Sequence, residues 1–492
     1  MKLLYKYISL ILLSSVFLVA SCDEDTVFSS NPSLHLTFSC DTISFDTLFT
    51  TVGSPTATMR VYNRNKESLR ISNVQLLGGW QNGFRMNVDG QYSSSIQDLE
   101  IRKNDSLYVY VEVTPAANGA DTPLILTDSI CFTLESGVQQ YITLLAYGRD
   151  AEFMHGPVFA TDTLLECGHY VVYDSLVVAQ DATLTLEKGV TLYFHSRAGM
   201  RVKGTLNAVG TVEEPIVFRG DRTDNLFSYL PYDRVPGQWQ GITIDSTSNN
   251  NTLVHCDIHS AKFGIKVEPG DTLEQRLHIE SSRIENFDGN ALETINSRVN
   301  VVNSLLANAR GNCVKVVGGR VNFSHCTIAN FYVWKLRDVA LALHNSLEGV
   351  PMPLRKAVFA NCIIAGSGED EVMGYLSEFE DSIPDASNYL FVNSLINTVP
   401  NEENENFVNV VYDNSELHPF AKEHFRLIDH NIFLYDFHLT DSTTARGIAA
   451  SEYAALTKYD IDGVERPAEG ADVGCFQFVE PVEEPTLEPS EQ

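Results

Sequence analysis

Basic residues are scarce in this sequence. Its 492 residues include 34 Lys and Arg against 64 Asp and Glu, a formal net charge of −30. A field of that sign repels long polyanions and argues against a nucleic-acid partner, though it leaves room for an acidic sugar in a local basic groove. Nine cysteines are present, but no C-x-x-C and no mixed Cys/His spacing of a metal site, so no metal is expected. A Gly-x-Ser-x-Gly elbow, a phosphate-binding loop and a nucleotide fingerprint are also missing. These absences weaken the case for an enzyme without removing it, because a fold does not fix a function. Between Gly156 and Phe218 no amphipathic helix interrupts the short strands.

The N-terminus is different in kind. Lys2 and Lys6 precede an apolar run from Ile8 to Val19, too short to span a membrane, which reads as an export signal over residues 1–21. Val19-Ala-Ser-Cys22 resembles a bacterial lipobox, in which the cysteine is lipidated. Cys22 is therefore the expected lipid anchor, holding the mature chain to a membrane without crossing it. Asp23-Glu-Asp25 opens an acidic linker over 22–32 and resembles the surface-export signal of Bacteroidetes lipoproteins. The expected address is the outer membrane, with the protein exposed at the cell surface. Loss of residues 1–21 removes two lysines and makes the mature charge −32.

Residues 33–150 read as an all-β sandwich. Segments such as Ala57–Tyr62, Leu69–Val74, Leu107–Val113 and Tyr141–Ala146 alternate apolar and polar residues and are separated by turn residues. Val61-Tyr-Asn63 with Leu69-Arg-Ile71, then Asn104-Asp-Ser106, then Ala146-Tyr-Gly148, resemble bacterial immunoglobulin-like domains of the ASH type, which space or bind. A Cys40–Cys131 disulfide is open to an oxidising compartment.

One short pattern then returns six times. It reads Leu253-Val-His-Cys-Asp-Ile258, Ile279-Glu-Ser-Ser-Arg-Ile284, Val301-Val-Asn-Ser-Leu-Leu306, Phe323-Ser-His-Cys-Thr-Ile328, Phe359-Ala-Asn-Cys-Ile-Ile364 and Phe391-Val-Asn-Ser-Leu-Ile396. A minimum period of 22 with variable excess is that of a stacked repeat carrying loop insertions. Cys and Ser exchange at the fourth position, so a small side chain is what that position requires. The His, Asn or Ser before it suits a bend and can bond backbone or stack on its copy in the next rung.

This resembles the right-handed parallel β-helix proteins, the architecture of pectate lyases, polygalacturonases and many Bacteroidetes surface lipoproteins. The resemblance implies a solenoid over 156–440. Asp436-Phe-His-Leu439, Thr444-Ala-Arg-Gly447, Asp460-Ile-Asp-Gly463 with Arg466, and Asp472-Val-Gly-Cys-Phe476 resemble the closing segment of such proteins, over 441–478. Open strand edges at a solenoid's end need covering. A Pro- and Glu-rich tail, 479–492, is expected to be disordered. The whole fold expected is all-β, an N-terminal Ig-like sandwich followed by the β-helix.

Two groups of residues are candidates for function. Insertions at Asp221–Gln238, Val333–Lys356, Gly366–Asn388 and Asn397–Phe433 interrupt the solenoid, and loops on a rigid coil carry binding surface. The first holds Phe227, Tyr229 and Tyr232, with Trp239 beside it, an aromatic group suited to stacking on sugar rings or to buttressing its own loop. The second group is an outward row, Lys266, Glu293, Lys315 and Lys335, from segments that align rung on rung. In β-helix lyases a base on such a face abstracts the proton α to a uronate carboxylate, and neighbouring acids hold Ca²⁺. A single Glu stands in this row, so Ca²⁺ is unsupported, no cofactor is expected, and cross-strand ion pairing accounts for the row. The polygalacturonase acid motifs are missing. The expectation is a surface lipoprotein presenting its coil to a polysaccharide or a surface-protein partner. A polysaccharide lyase or glycoside hydrolase is the alternative.

Overall fold

The structure, a computed structural model, describes residues 27–119, 122–377, 386–401, 403–413 and 421–480. The export signal, Cys22 and the tail from residue 481 lie outside these residues. The chain divides into two compact units after Asp150.

In the N-terminal unit, alternating residues face inward from two five-stranded sheets. One runs in the order Thr37–Phe38, Ala57–Tyr62, Ser106–Val113, Phe84–Val88, Gln91–Tyr92; the other in the order Thr42–Phe49, Gln139–Arg149, Leu124–Leu134, Leu69–Leu76, Ser95–Ile101. Neighbours are antiparallel except Thr42–Phe49, which runs parallel to Gln139–Arg149. Val61, Ile71, Phe84, Val109, Phe132 and Leu144 form the core between the sheets. Cys40 and Cys131 are both free thiols, so the disulfide considered from sequence does not form.

The second unit is a parallel β-helix. Three parallel sheets of eleven, nine and ten strands run its length, and each turn of chain contributes a strand to the first, second and third sheet in succession. The coil begins at Glu152. The six sequence copies mark one corner, where each third-sheet strand bends into the next first-sheet strand. Leu253, Ile279, Val301, Phe323, Phe359 and Phe391 pair in register, as do Ile258, Ile284, Leu306, Ile328, Ile364 and Ile396. All are fully buried. A seventh copy follows at Phe407–Tyr412, in which Val410 replaces the Cys or Ser. Phe323, Phe359, Phe391 and Phe407 stack at centroid spacings of 4.9, 5.1 and 4.8 Å, each pair adding about 0.5–1.5 kcal/mol to the burial of its rings.

The polar residue of each copy makes the bend. His255, Ser281, Asn303, His325, Asn361 and Asn393 all have φ between 46° and 53°, the left-handed region that Asn tolerates best. The Cys or Ser that follows donates to the carbonyl two residues back, as Ser304 Oγ does to Val302 at 2.7 Å and Cys362 Sγ to Ala360 at 3.3 Å. Where the residue is Ser, its oxygen also accepts the backbone N–H of the copy before it: the Cys256 N–H donates to Ser282 Oγ at 3.0 Å and the Ser282 N–H to Ser304 Oγ at 3.1 Å. A hydroxyl and a thiol both fill that role, which explains the exchange.

Residues 425–476 pack along the flank of the coil, on the outer face of its first sheet. Phe425, Phe437, Leu439, Val473 and Phe476 cover Leu305, Ala307, Ala329, Ile363 and Ala365. Buried Arg466 donates to Asn303 Oδ1 at 2.7 Å, while Asn361 exchanges bonds with the backbone of Ala450, and Asn393 donates to the Ile448 carbonyl. The corner Asn ladder is thus the docking rail of the closing segment. The supposed insertions also contain coil strands: Leu341–His344, Val372–Tyr375, Phe407–Val408 and Val411–Tyr412.

Candidate functional site

Most of the lysine row lies where the sequence places it. Lys266, Glu293 and Lys315 pair in register on the second sheet and face outward. Lys315 Nζ meets Glu293 Oε1 at 3.1 Å, a partly buried ion pair. Lys335 is the exception. The next rung is Leu341–His344, and Ala342 stands beside Lys315. The alternating segment Val333–Leu336 mimics a strand but lies in a loop, where Lys335 Nζ reaches Asp288 at 2.9 Å.

The aromatic group also divides. Trp239 is 1% exposed and lies in the coil's core, stacked on Phe194 at 4.4 Å, its Nε1 donating to the His259 carbonyl at 2.9 Å. That ring cannot meet a ligand. Phe227 and Tyr229 are exposed and stack on each other at 5.7 Å, in and beside the hairpin Asn225–Phe227/Leu230–Pro231. Tyr232 lies under the Arg222 guanidinium at 3.8 Å, buttressing its own loop.

A different constellation forms where the first sheet emerges from under the closing segment. Along one outward column the register runs Tyr193, Arg219, His259, Glu285, Ala307. The later positions of this column, from Ala307 on, are small and covered; Arg219, His259 and Glu285 before them are charged or titratable and half-buried, and Tyr193 at the start is buried. Asp257 stands two residues before His259 on the same strand. Beyond this floor, the 3₁₀ turn Tyr232–Arg234 brings in Asp233, the loop after Asn330 brings Tyr332 and Trp334, and the hairpin joining Phe425–Asp429 to Leu434–Leu439 brings Phe433 and Tyr435. Together they enclose a recess of about 240 Å³. Trp334 and Phe433 stack at 4.3 Å and 22°, forming one aromatic wall.

The floor is a nearly neutral charge cluster. His259 donates from Nδ1 to Asp257 and from Nε2 to Asp233, both at 2.8 Å, and Arg219 adds a 2.9 Å contact to Asp233. Burial opposes the charge on His259, but the two carboxylates outweigh it and hold the imidazolium well above its ordinary range. Burial also opposes ionisation of Asp233, yet His259, Arg219 and Arg234 bring it down to about 2. Glu285 has no such partner. Burial, reinforced by the Asp257 charge, raises it to about 7. Asp233 is therefore ionised beside a second carboxyl, Glu285, that holds its proton up to near-neutral pH, a separation that suits hydrogen bonding to hydroxyls and acid–base work.

Asp233, Asp257, His259, Glu285, Trp334 and Phe433 escape a reading that treats the six copies as scaffold alone. One signal was available: the outward positions after the bend are Asp257, His259, Arg283 and Glu285 in the first two copies, and Leu305, Ala307, Ile363 and Ala365 in later ones. Among the described residues, no group of three or more His, Cys, Asp or Glu is placed to hold a metal ion.

No protein-family model and no curated protein matches this sequence. Among solved structures, the chain is similar to a family 123 glycoside hydrolase from Clostridium perfringens, at 12% identity over 24% of this chain and 26% of that one, with a TM-score of 0.18. It is also similar to an ASH/PapD-like domain of human CEP192, at 8% identity over 27% of this chain and 97% of that one, TM-score 0.18. A third similarity is to the catalytic domain of a GH87 α-1,3-glucanase, at 8% identity over 74% and 89%, TM-score 0.20. The chain spans about a quarter of the length of the family 123 enzyme. The architecture therefore rests on the strand pairing itself: an N-terminal Ig-like sandwich followed by a parallel β-helix.

Proposed function

We propose that this protein is a lipoprotein, anchored through Cys22 to the outer membrane and exposed at the cell surface, whose β-helix binds a glycan in the recess on its first sheet. The carrying observation is the pairing of the Trp334–Phe433 wall with the floor of Asp233, Asp257 and Glu285. Aromatic faces bind the C–H faces of sugar rings and carboxylates accept their hydroxyls, while a concave site removes both from water. Binding of the purified protein across a panel of neutral and uronate-containing oligosaccharides tests this. A ligand whose affinity falls at least tenfold in Trp334→Ala is expected; no binding to any of the panel at millimolar concentration overturns the glycan reading. Incorporation of labelled palmitate, lost in Cys22→Ser, tests the anchor.

Glu285 favours a second reading, glycoside hydrolysis. A carboxyl that keeps its proton can deliver it to a glycosidic oxygen while a neighbouring carboxyl group, Asp257 or Asp233, accepts a proton from the attacking water. New reducing ends that disappear in Glu285→Gln, with binding retained, would establish it. Binding without turnover leaves the first reading. The lyase alternative keeps only part of its row, since Lys315 is tied to Glu293 and Lys335 lies in a loop outside it.

A further inference from the structure

The outer face of the third sheet carries a feature that neither the recess nor the packing uses. Arg298, Arg320 and Lys356 pair in register on three successive rungs. Rungs are about 4.8 Å apart, so three cations stand in file on one face. Like charges directly opposite on neighbouring strands destabilise a sheet. Acids outnumber bases 64 to 34 in this chain, so compensation would have been easy to supply. Yet among the described residues none of the three has an ion-pair partner. Arg298 donates to the Leu273 carbonyl at 2.7 Å, and Arg320 has a buried Nε with no hydrogen-bond partner at all. A buried unpaired guanidinium N–H costs stability.

Beside the cations runs a second column, His278, Asn300 and Asn322, also in register. Asn322 Nδ2 donates to Asn300 Oδ1 at 3.0 Å, and Asn300 Nδ2 lies 3.0 Å from His278 Nδ1. Each Asn amide retains a further N–H and an acceptor lone pair for a hydroxyl. Glu280, on the same strand as His278, is occupied by it at 3.1 Å. Cations and amides line one open groove of about 570 Å³ without a single acidic residue in its walls.

From this geometry we infer that the groove formed by Arg298, Arg320, Lys356, Asn300 and Asn322 is a second binding site, for an anionic polysaccharide bearing carboxylate or sulfate groups. The guanidinium and ammonium groups meet the anions, Arg through paired N–H donors, and the amide column meets the hydroxyls between them. The groove runs across the rungs and is open along its length, which suits a chain and not a small ion. Nucleic acid fits poorly. The walls hold no aromatic ring on which a base could stack. The site lies on a different sheet from the recess and does not depend on it.

Affinity electrophoresis of the whole mature protein, in gels containing polygalacturonate, chondroitin sulfate, neutral dextran or duplex DNA, tests the inference. Retardation is expected in one or both anionic polysaccharides, the two gels separating carboxylate from sulfate recognition, and should weaken as salt is raised. The double variant Arg298→Gln/Lys356→Gln removes two exposed cations and leaves half-buried Arg320 in place; it should lower affinity about tenfold per cation, with an unchanged circular dichroism spectrum. Trp334→Ala should leave this binding intact, which separates it from the recess. No retardation by either anionic polysaccharide at low salt, equal retardation by dextran or DNA, or an unaffected double variant would each overturn it.

Discussion

Replacing Glu285 by Gln should make the protein more stable at alkaline pH and leave it unchanged in acid. In the folded chain Glu285 faces Asp257, Asp233, His259 and Arg283, and its carboxyl titrates near 7 against an ordinary value of about 4.5, burial being the larger cause and the Asp257 charge the next. Between those values the folded chain keeps a proton that the unfolded chain has released, so stability falls as pH rises through the window and the loss is complete just above 7. At 1.36 kcal/mol per pH unit the whole displacement corresponds to about 3 kcal/mol; solvent contact at the open side of the recess reduces this to about 2–3 kcal/mol. Gln mimics the protonated acid in shape and charge. The variant should therefore match the wild type at pH 4 and exceed it by about 2–3 kcal/mol at pH 8. Urea unfolding followed by tryptophan fluorescence at the two pH values measures the difference, with equal m-values as the check that both chains unfold alike. Parallel stability curves for wild type and variant across pH 4–8 would show that Glu285 ionises normally. The proton-donor role would then have no basis.

Trp239→Ala should cost about 3–5 kcal/mol by emptying the core beneath the recess, seen as a large fall in melting temperature, whereas Trp239→Phe should keep glycan affinity within about twofold because the ring touches no ligand. Asn361 permits a paired test at the bend. Asn361→Gly keeps the left-handed backbone but loses the bonds to Ala450 and His325, at about 1–3 kcal/mol; Asn361→Ala should cost about 1–2 kcal/mol more because Cβ disfavours that conformation. Thermal melts rank the two, and limited proteolysis should cleave within 448–478 sooner in both. Equal melting temperatures for Gly and Ala would remove the strain argument.

Where the sequence reading succeeded, the residues were repeated. Phe323, Phe359 and Phe391, with Ile328, Ile364 and Ile396, had to lie in register because a coil can bury a continuous core only when like stacks on like. The bend residues were legible for the same reason, as was the reading of Cys326 and Cys362 as small fillers. Where a rung lost its marker, the reading failed. Val410 hides the seventh copy. Leu341–His344 is short and preceded by Val333–Leu336, whose alternation is equally strand-like, so the pattern alone puts Lys335 in the row that Ala342 occupies. Proximity in sequence groups Trp239 with Phe227 and Tyr229, although the turn between them sends one ring inward and the others out.

The sequence by itself determined that the chain is a sandwich followed by a parallel coil, because periodicity in side-chain type is a local property that stacking amplifies. It did not determine where ligands would meet that coil. Asp233, Glu285, Trp334 and Phe433 are separated by as many as 200 positions, and only the stacking of the first sheet, the loops beside it and the closing segment folded along it bring them around one recess. Arg298, Arg320 and Lys356 are unremarkable apart and become a row only through rung-to-rung register. Their charge partners, or lack of them, are facts of packing.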